Sequence, residues 1–502
     1  MAVLSQSLQA GASRSLIWIA AATLFVAVGA LGGLALALGE LEALWIALSV
    51  VAALVVLVDY RVGAVLLILM LPVYDSSLFP HELMGITGLN PVNLLLAGTL
   101  VSYLLRANRE PGRLLQPQLI WLFVVPIIIG GVMGSFRVDE IVPAFIEDMS
   151  VSFHNAPGYL RDMVVRPLFV PLMALLIGVA VTRSQKAERY IIPIALSVWI
   201  IALIELGYVA YSGVRLGLLA APSMRGFFAA IGLHANDLGR LFAIAYALLL
   251  FTWWEAKKPG LKMFLFITMG VLSFALLLTF SRGAFVGFLL INALFLAWKF
   301  NYKTLSLAIV VMAVCALFMP GYVYNRVLLG IGEGDLDAVS AGRIDGIWLP
   351  LLPEILVSPL WGQGLGSILW STPMETGSML LVGHPHNAFL EALLDMGVIG
   401  LGLLLAYYLH VWRGFRALGS NALVSPELRG FFQGATAGLL CHLVTGMAGS
   451  SLRPESEAAY LWIAIGMMYG LQARQPAQAQ QSAQAHQPAQ AHRPAQVRSP
   501  AG

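Results

Sequence analysis

Met263–Phe280 reads MFLFITMGVLSFALLLTF and Gly283–Trp298 reads GAFVGFLLINALFLAW, with only Ser281 and Arg282 between them. Each run is close to the length at which a helix crosses the hydrocarbon of a bilayer. Inside hydrocarbon, every backbone group must find its partner within its own segment, so such runs are helices. The two-residue alternation of a membrane barrel strand is absent. Working outward from this pair, similar runs occur at 16–38, 44–58, 62–74, 91–105, 119–133, 167–182, 190–212, 238–254, 305–319, 387–412, 431–447 and 458–471. Those at 44–58, 62–74 and 305–319 are short, so 12–14 spans are expected. Composition agrees, with 59% hydrophobic and 11% charged residues, against about 25% charged in a soluble domain. The fold class is all-α: a polytopic membrane protein with a large periplasmic loop.

The chain divides into a membrane-embedded domain, 1–474, and an Ala/Gln/Pro-rich cytoplasmic tail, 475–502, expected to be disordered because it is too poor in large apolar groups to pack. Within the domain, 320–386 forms the extramembrane loop subdomain, and 134–166 is a second hydrophilic stretch. Leu16–Leu38 exceeds a signal-peptide core of roughly 7–15 residues and reads as a retained span. Cys315 and Cys441 sit inside apolar runs, which points away from disulfides and thiolate metal sites. A net charge of +3 gives no reason to expect a nucleic-acid partner.

Basic residues give the orientation. With the N-terminus cytoplasmic, most of the 29 Lys and Arg residues fall in inside connectors, among them Arg61, Arg106, Arg183, Lys257, Lys258, Lys299, Arg413, Arg416 and Arg474. The exceptions on the outer side include Arg225, Arg240, Arg282, Arg343 and Arg453. Arg282 lies in the tight turn Thr279-Phe280-Ser281-Arg282-Gly283 between two apolar helices, where a guanidinium is costly unless it meets an anion.

Three polar patterns gather on that face. They are Ser223-Met224-Arg225-Gly226 followed by His234-Ala235-Asn236-Asp237, then Ser281-Arg282-Gly283-Ala284, and Gly383-His384-Pro385-His386-Asn387 leading to Glu391 and Gly397-Val398-Ile399-Gly400. Gly342-Arg343-Ile344-Asp345-Gly346-Ile347-Trp348 and Gly362-Gln363-Gly364-Leu365-Gly366 precede the third. In this order they resemble the O-antigen ligase and O-antigen polymerase superfamily of bacterial inner-membrane glycosyltransferases. The resemblance spans about 225–412; before it, the likeness is one of hydropathy alone. It implies transfer of a polysaccharide from undecaprenyl diphosphate to a glycan hydroxyl, such as one on lipid A–core, at the periplasmic face of the inner membrane. A polymerase would use the same donor on a second lipid-linked unit.

By that resemblance Arg225 and Arg282 are candidates for the donor diphosphate, whose oxygens suit planar guanidinium forks. His386 is the candidate general base and His384 the second choice, since imidazole titrates in the useful range. Arg453, His234 and Asn387 are further candidates. Direct attack by the hydroxyl inverts the anomeric centre. Asp335-Leu336-Asp337 lies in the 320–386 loop, and no Asp-x-Asp motif marks a divalent cation in the manner of cytoplasmic sugar-nucleotide enzymes, so a metal-independent enzyme without cofactors is expected. Its partners are the lipid-linked donor, the glycan acceptor and membrane lipids.

Plainer readings compete. An Arg at a helix end can snorkel to lipid headgroups, Asn387 can simply cap a helix, and His-Pro-His can be half of a metal site. Glu205 and His442 lie within spans and read as buried structure. Trp348, Trp361 and Trp370 offer rings for sugar stacking. A transporter would show paired repeats with broken helices near the midplane, and no half-to-half repeat is evident.

Overall fold

The computed structural model describes residues 41–107, 114–147, 151–302 and 340–485, apart from 75, 78–79, 225 and 450, together with 304–306, 309, 321 and 337. The expected span 16–38, most of 305–319, residues 322–336, the end of the tail and Arg225 lie outside the described residues.

The apolar runs form helices: α1 (Leu41–Val58), α2 (Tyr60–Met70), α3 (Pro91–Ala107), α4 (Pro117–Ser135), α5 (Ala156–Arg183) and α6 (Ala187–Ser212). They continue with α7 (Ala235–Glu255), α8 (Pro259–Leu278), α9 (Arg282–Trp298), α10 (Ala388–Ser420), α11 (Pro426–Gly446) and α12 (Ala459–Ala485). A two-residue hairpin, Glu82–Leu83 against Ile86–Thr87, is the sheet structure among the described residues. Among those residues six helices, α4 to α8 and α10, are long and apolar enough to cross a membrane. The molecule is an all-α polytopic membrane protein. Helix α12 runs on through Ala485, so the Ala/Gln/Pro segment starts as helix; Ala and Gln favour that state even without packing.

Helices α7 and α11 lie almost backbone to backbone. Side chains added at Gly430 and Gly434 would strike the carbonyls of Phe251 and Ala247, the small-residue contact that lets membrane helices approach closely. Where α4, α10 and α12 meet, Phe123 packs on Tyr407 (4.9 Å between centroids), Trp462 (5.2 Å) and Tyr408 (6.0 Å).

The run expected as one span at 387–412 is a broken helix. Gly397 has φ 65° and ψ −171° inside α10, a conformation that favours glycine. A break should strand amides and carbonyls, yet the segment 359–364 takes them up. Gln363 and Gly364 donate to the carbonyls of Leu394 and Asp395, both at 2.9 Å. Beyond the break, the amides of Val398 and Ile399 donate to Pro359 (2.9 Å) and Leu360 (3.2 Å). Two residues before Gly397, the Asp395 carboxylate accepts from the amides of Gly366 and Ser367, each at 2.9 Å, and from the Ser367 hydroxyl at 2.8 Å. The same loop reaches α4 and α5, with Leu365 donating to Gly130 (3.0 Å) and accepting from the Tyr159 hydroxyl (2.6 Å). The described part of the outer loop is therefore stitched into the bundle.

Candidate functional site

One end of the bundle collects the start of α7, the α8–α9 turn, the start of α10 and the α11–α12 connection. Cross-links fix this grouping. Arg240 on α7 pairs with Asp237 at 2.8 Å and with Glu457 before α12. Arg343 donates to the Ala448 carbonyl at 3.0 Å, and Arg453 pairs with Glu391 of α10 at 3.0 Å. At the opposite end, Lys299 after α9 pairs with Glu255 of α7 at 2.6 Å.

The α8–α9 turn is built by hydroxyls. The Thr279 hydroxyl accepts from the Ser281 amide at 3.3 Å, and Ser281 caps α9 by accepting from Ala284 at 3.4 Å. Phe280 turns the corner with φ 47°. Arg282 is consequently the first residue of α9, with its side chain leaving at the polar end.

His386 also has a left-handed backbone, φ 52°, an uncommon state for a residue with a side chain. Its amide donates to Nδ1 of His384 at 3.3 Å, and the two rings lie 4.0 Å apart at 63°. With Nδ1 accepting, the neutral His384 ring carries its proton on Nε2. Asn387 caps α10, accepting from Phe389 and Leu390 at 3.1 Å each. The plain capping role is thus real, and it aims the preceding imidazole from a fixed helix start.

The two rings face different surroundings. His384 lines a small cleft of about 20 Å³ together with Ser367, Glu391 and Arg453, and His386 does not. Burial pushes His386 down to about 3, aided by His384, Arg343, His234 and Arg240. Burial likewise pushes His384 down to about 4; Asp237 opposes this, while Arg240, Arg343 and Arg453 add to it. Both rings are neutral at physiological pH. Arg343 is itself held below the usual arginine range by burial, then by Arg282 and Arg240. Arg282 thus lies within electrostatic reach of Arg343, and Arg343 within reach of His386.

Of the residues singled out in the sequence, Arg282, His384, His386 and His234 come to this end of the bundle, His234 as the cap of α7. Arg225 is outside the described residues. Arg453 pairs with Glu391 at 3.0 Å, with Glu455 farther off at 4.0 Å. Trp370 is buried, which removes it as a sugar platform. Arg343 stands out in the sequence as an outer basic residue inside the Gly342–Trp348 pattern, with no role attached to it. The roles of Trp348 and Glu391 had no signal beyond residue type. Among the described residues no group of three or more His, Cys, Asp or Glu side chains is arranged to hold a metal ion.

Residues 264–405 match the family model for O-antigen ligase. That stretch contains Arg282, Arg343, Trp348, His384, His386 and Glu391. No curated protein matches the chain.

Proposed function

Starting from a chain whose residues 264–405 carry the O-antigen ligase family match, we propose that it is a periplasm-facing, inner-membrane glycosyltransferase of the ligase type. The donor is a polysaccharide on undecaprenyl diphosphate and the acceptor a glycan hydroxyl such as one of lipid A–core. The acceptor oxygen attacks the anomeric carbon, and the bond to the diphosphate oxygen breaks on the opposite face. The electron pair leaves on the diphosphate, the hydroxyl proton passes to His386, and the anomeric centre inverts. Arg282 and Arg343, with Arg225 added from the sequence, neutralise the charge that grows on the departing oxygens. No metal is assigned a role.

The observation that carries this reading is a neutral imidazole, His386, within electrostatic reach of Arg343, which is in turn within reach of Arg282 at the same end of the bundle. A base beside fixed cations is what a displacement needs when it removes a proton at one centre and expels an anion at the other.

The test uses purified protein in liposomes with the host's lipid-linked glycan, with and without lipid A–core. Transfer that requires lipid A–core supports the ligase reading; chain extension on lipid-linked glycan alone identifies a polymerase. Replacing Arg282 by Ala should cut turnover by about 10²–10³, and His386→Ala by about 10²–10⁴, with membrane insertion intact. Wild-type turnover in both variants removes the assignment.

A further inference from the structure

The residues between Arg343 and His386 contain an irregularity with a mechanical use. Ile344–Trp348 is a π-helical turn, in which the Leu349 amide reaches the Ile344 carbonyl five residues back. Such turns frequently sit at functional sites. Arg343 stands at its start, and its side chain is anchored to the Ala448 carbonyl at 3.0 Å. From the same turn two hydrogen bonds cross to the loop that carries the histidines. The Gly346 carbonyl accepts from the Leu380 amide at 2.9 Å, and the Trp348 indole N–H donates to the Pro385 carbonyl at 2.8 Å.

The second bond meets the peptide that joins Pro385 to His386, directly before the residue with φ 52°. An unfavourable backbone state persists only when its surroundings over-determine it. Here the restraints are the His386 amide to His384, the Asn387 cap and the indole. Without the indole, the Pro385–His386 peptide keeps only two of these three restraints, and the imidazole is held less firmly relative to Arg343.

We propose that Trp348 is a positioning residue, which fixes the His386 imidazole relative to Arg343 through its hydrogen bond to the Pro385 carbonyl. This rests on the transfer reaction proposed above. It gives Trp348 a task different from stacking on a sugar, since it uses the N–H and not the ring face.

The experiment replaces the N–H and keeps the shape. Benzothienylalanine at position 348, with sulfur in place of the indole nitrogen, is compared with Trp348→Phe and the wild type, all reconstituted as full chains. Loss of one such bond should lower kcat about tenfold while the KM for lipid-linked donor stays within about twofold. The acid limb of kcat/KM should also move upward as the ring leaves the guanidinium. Independently of activity, amide exchange in the peptide containing His386 should quicken. A benzothienyl variant with wild-type kcat and wild-type exchange overturns the inference, as does a loss expressed wholly in donor KM. The parent reading has its own control in the same series: an active wild type and an inactive His386→Ala. If wild-type protein transfers nothing, that reading fails, and the exchange measurement still decides whether Trp348 holds the loop.

Discussion

An imidazole that titrates near 3 is always unprotonated at neutral pH, but it is also a weak base. The free site is low because burial and cations oppose the imidazolium, and a bound diphosphate would reverse the second of these influences. His386 should therefore titrate higher in the donor complex than in the free protein. Activity needs the neutral ring, so it falls as pH drops through whichever value applies. The acid limb of kcat/KM reports the free protein and should lie close to 3; that of kcat reports the complex and should lie higher. Coincident limbs in the two profiles would mean that the anion does not dock beside this ring. The same signs govern stability. The unfolded chain takes up protons near the ordinary value of 6.5, above the folded values, so folded protein loses stability as pH falls from 6.5 toward 4.

At the scale of an element, Gly397 offers the sharpest test. A Cβ there would meet the backbone of Leu360 and Trp361 as well as an unfavourable φ. Gly397→Ala should destabilise the protein by about 1–3 kcal/mol from backbone strain alone, measured as a lower melting temperature in detergent. An unchanged melting temperature would show that the break is not needed. This element also marks where sequence reading stopped. Hydropathy made 387–412 legible as a span because a bilayer selects strongly for apolar side chains. The break was not legible, because its partners are the backbones of Pro359, Leu360, Gln363 and Gly364, and backbone groups look alike in any sequence. The residues of the site divide in the same way. Arg282 stood out through the cost of a charge in a short turn, whereas the Glu391 partner of Arg453 depends on a contact between distant segments.

For the whole molecule, the helix ends sort into two populations. The α7–α8 connection with Lys257 and Lys258 lies at the end where Lys299 meets Glu255, and the histidine loop lies at the other. In a background without Cys315 and Cys441, a cysteine at Lys257 should react with impermeant reagents only from the cytoplasm. One at exposed Ser378 should react only from outside. Labelling of the Ser378 position from the cytoplasm alone would place the base and the lipid-linked donor in different compartments and end the proposed chemistry.

The way the break in α10 is repaired bears on how the protein is made. The part beyond Gly397 is an ordinary apolar stretch that can enter the bilayer as it emerges from the insertion machinery. The turn that carries Asp395 depends on amides contributed by a loop translated shortly before it. That corner therefore closes only when two segments separated in the chain meet, because neither satisfies its polar groups alone.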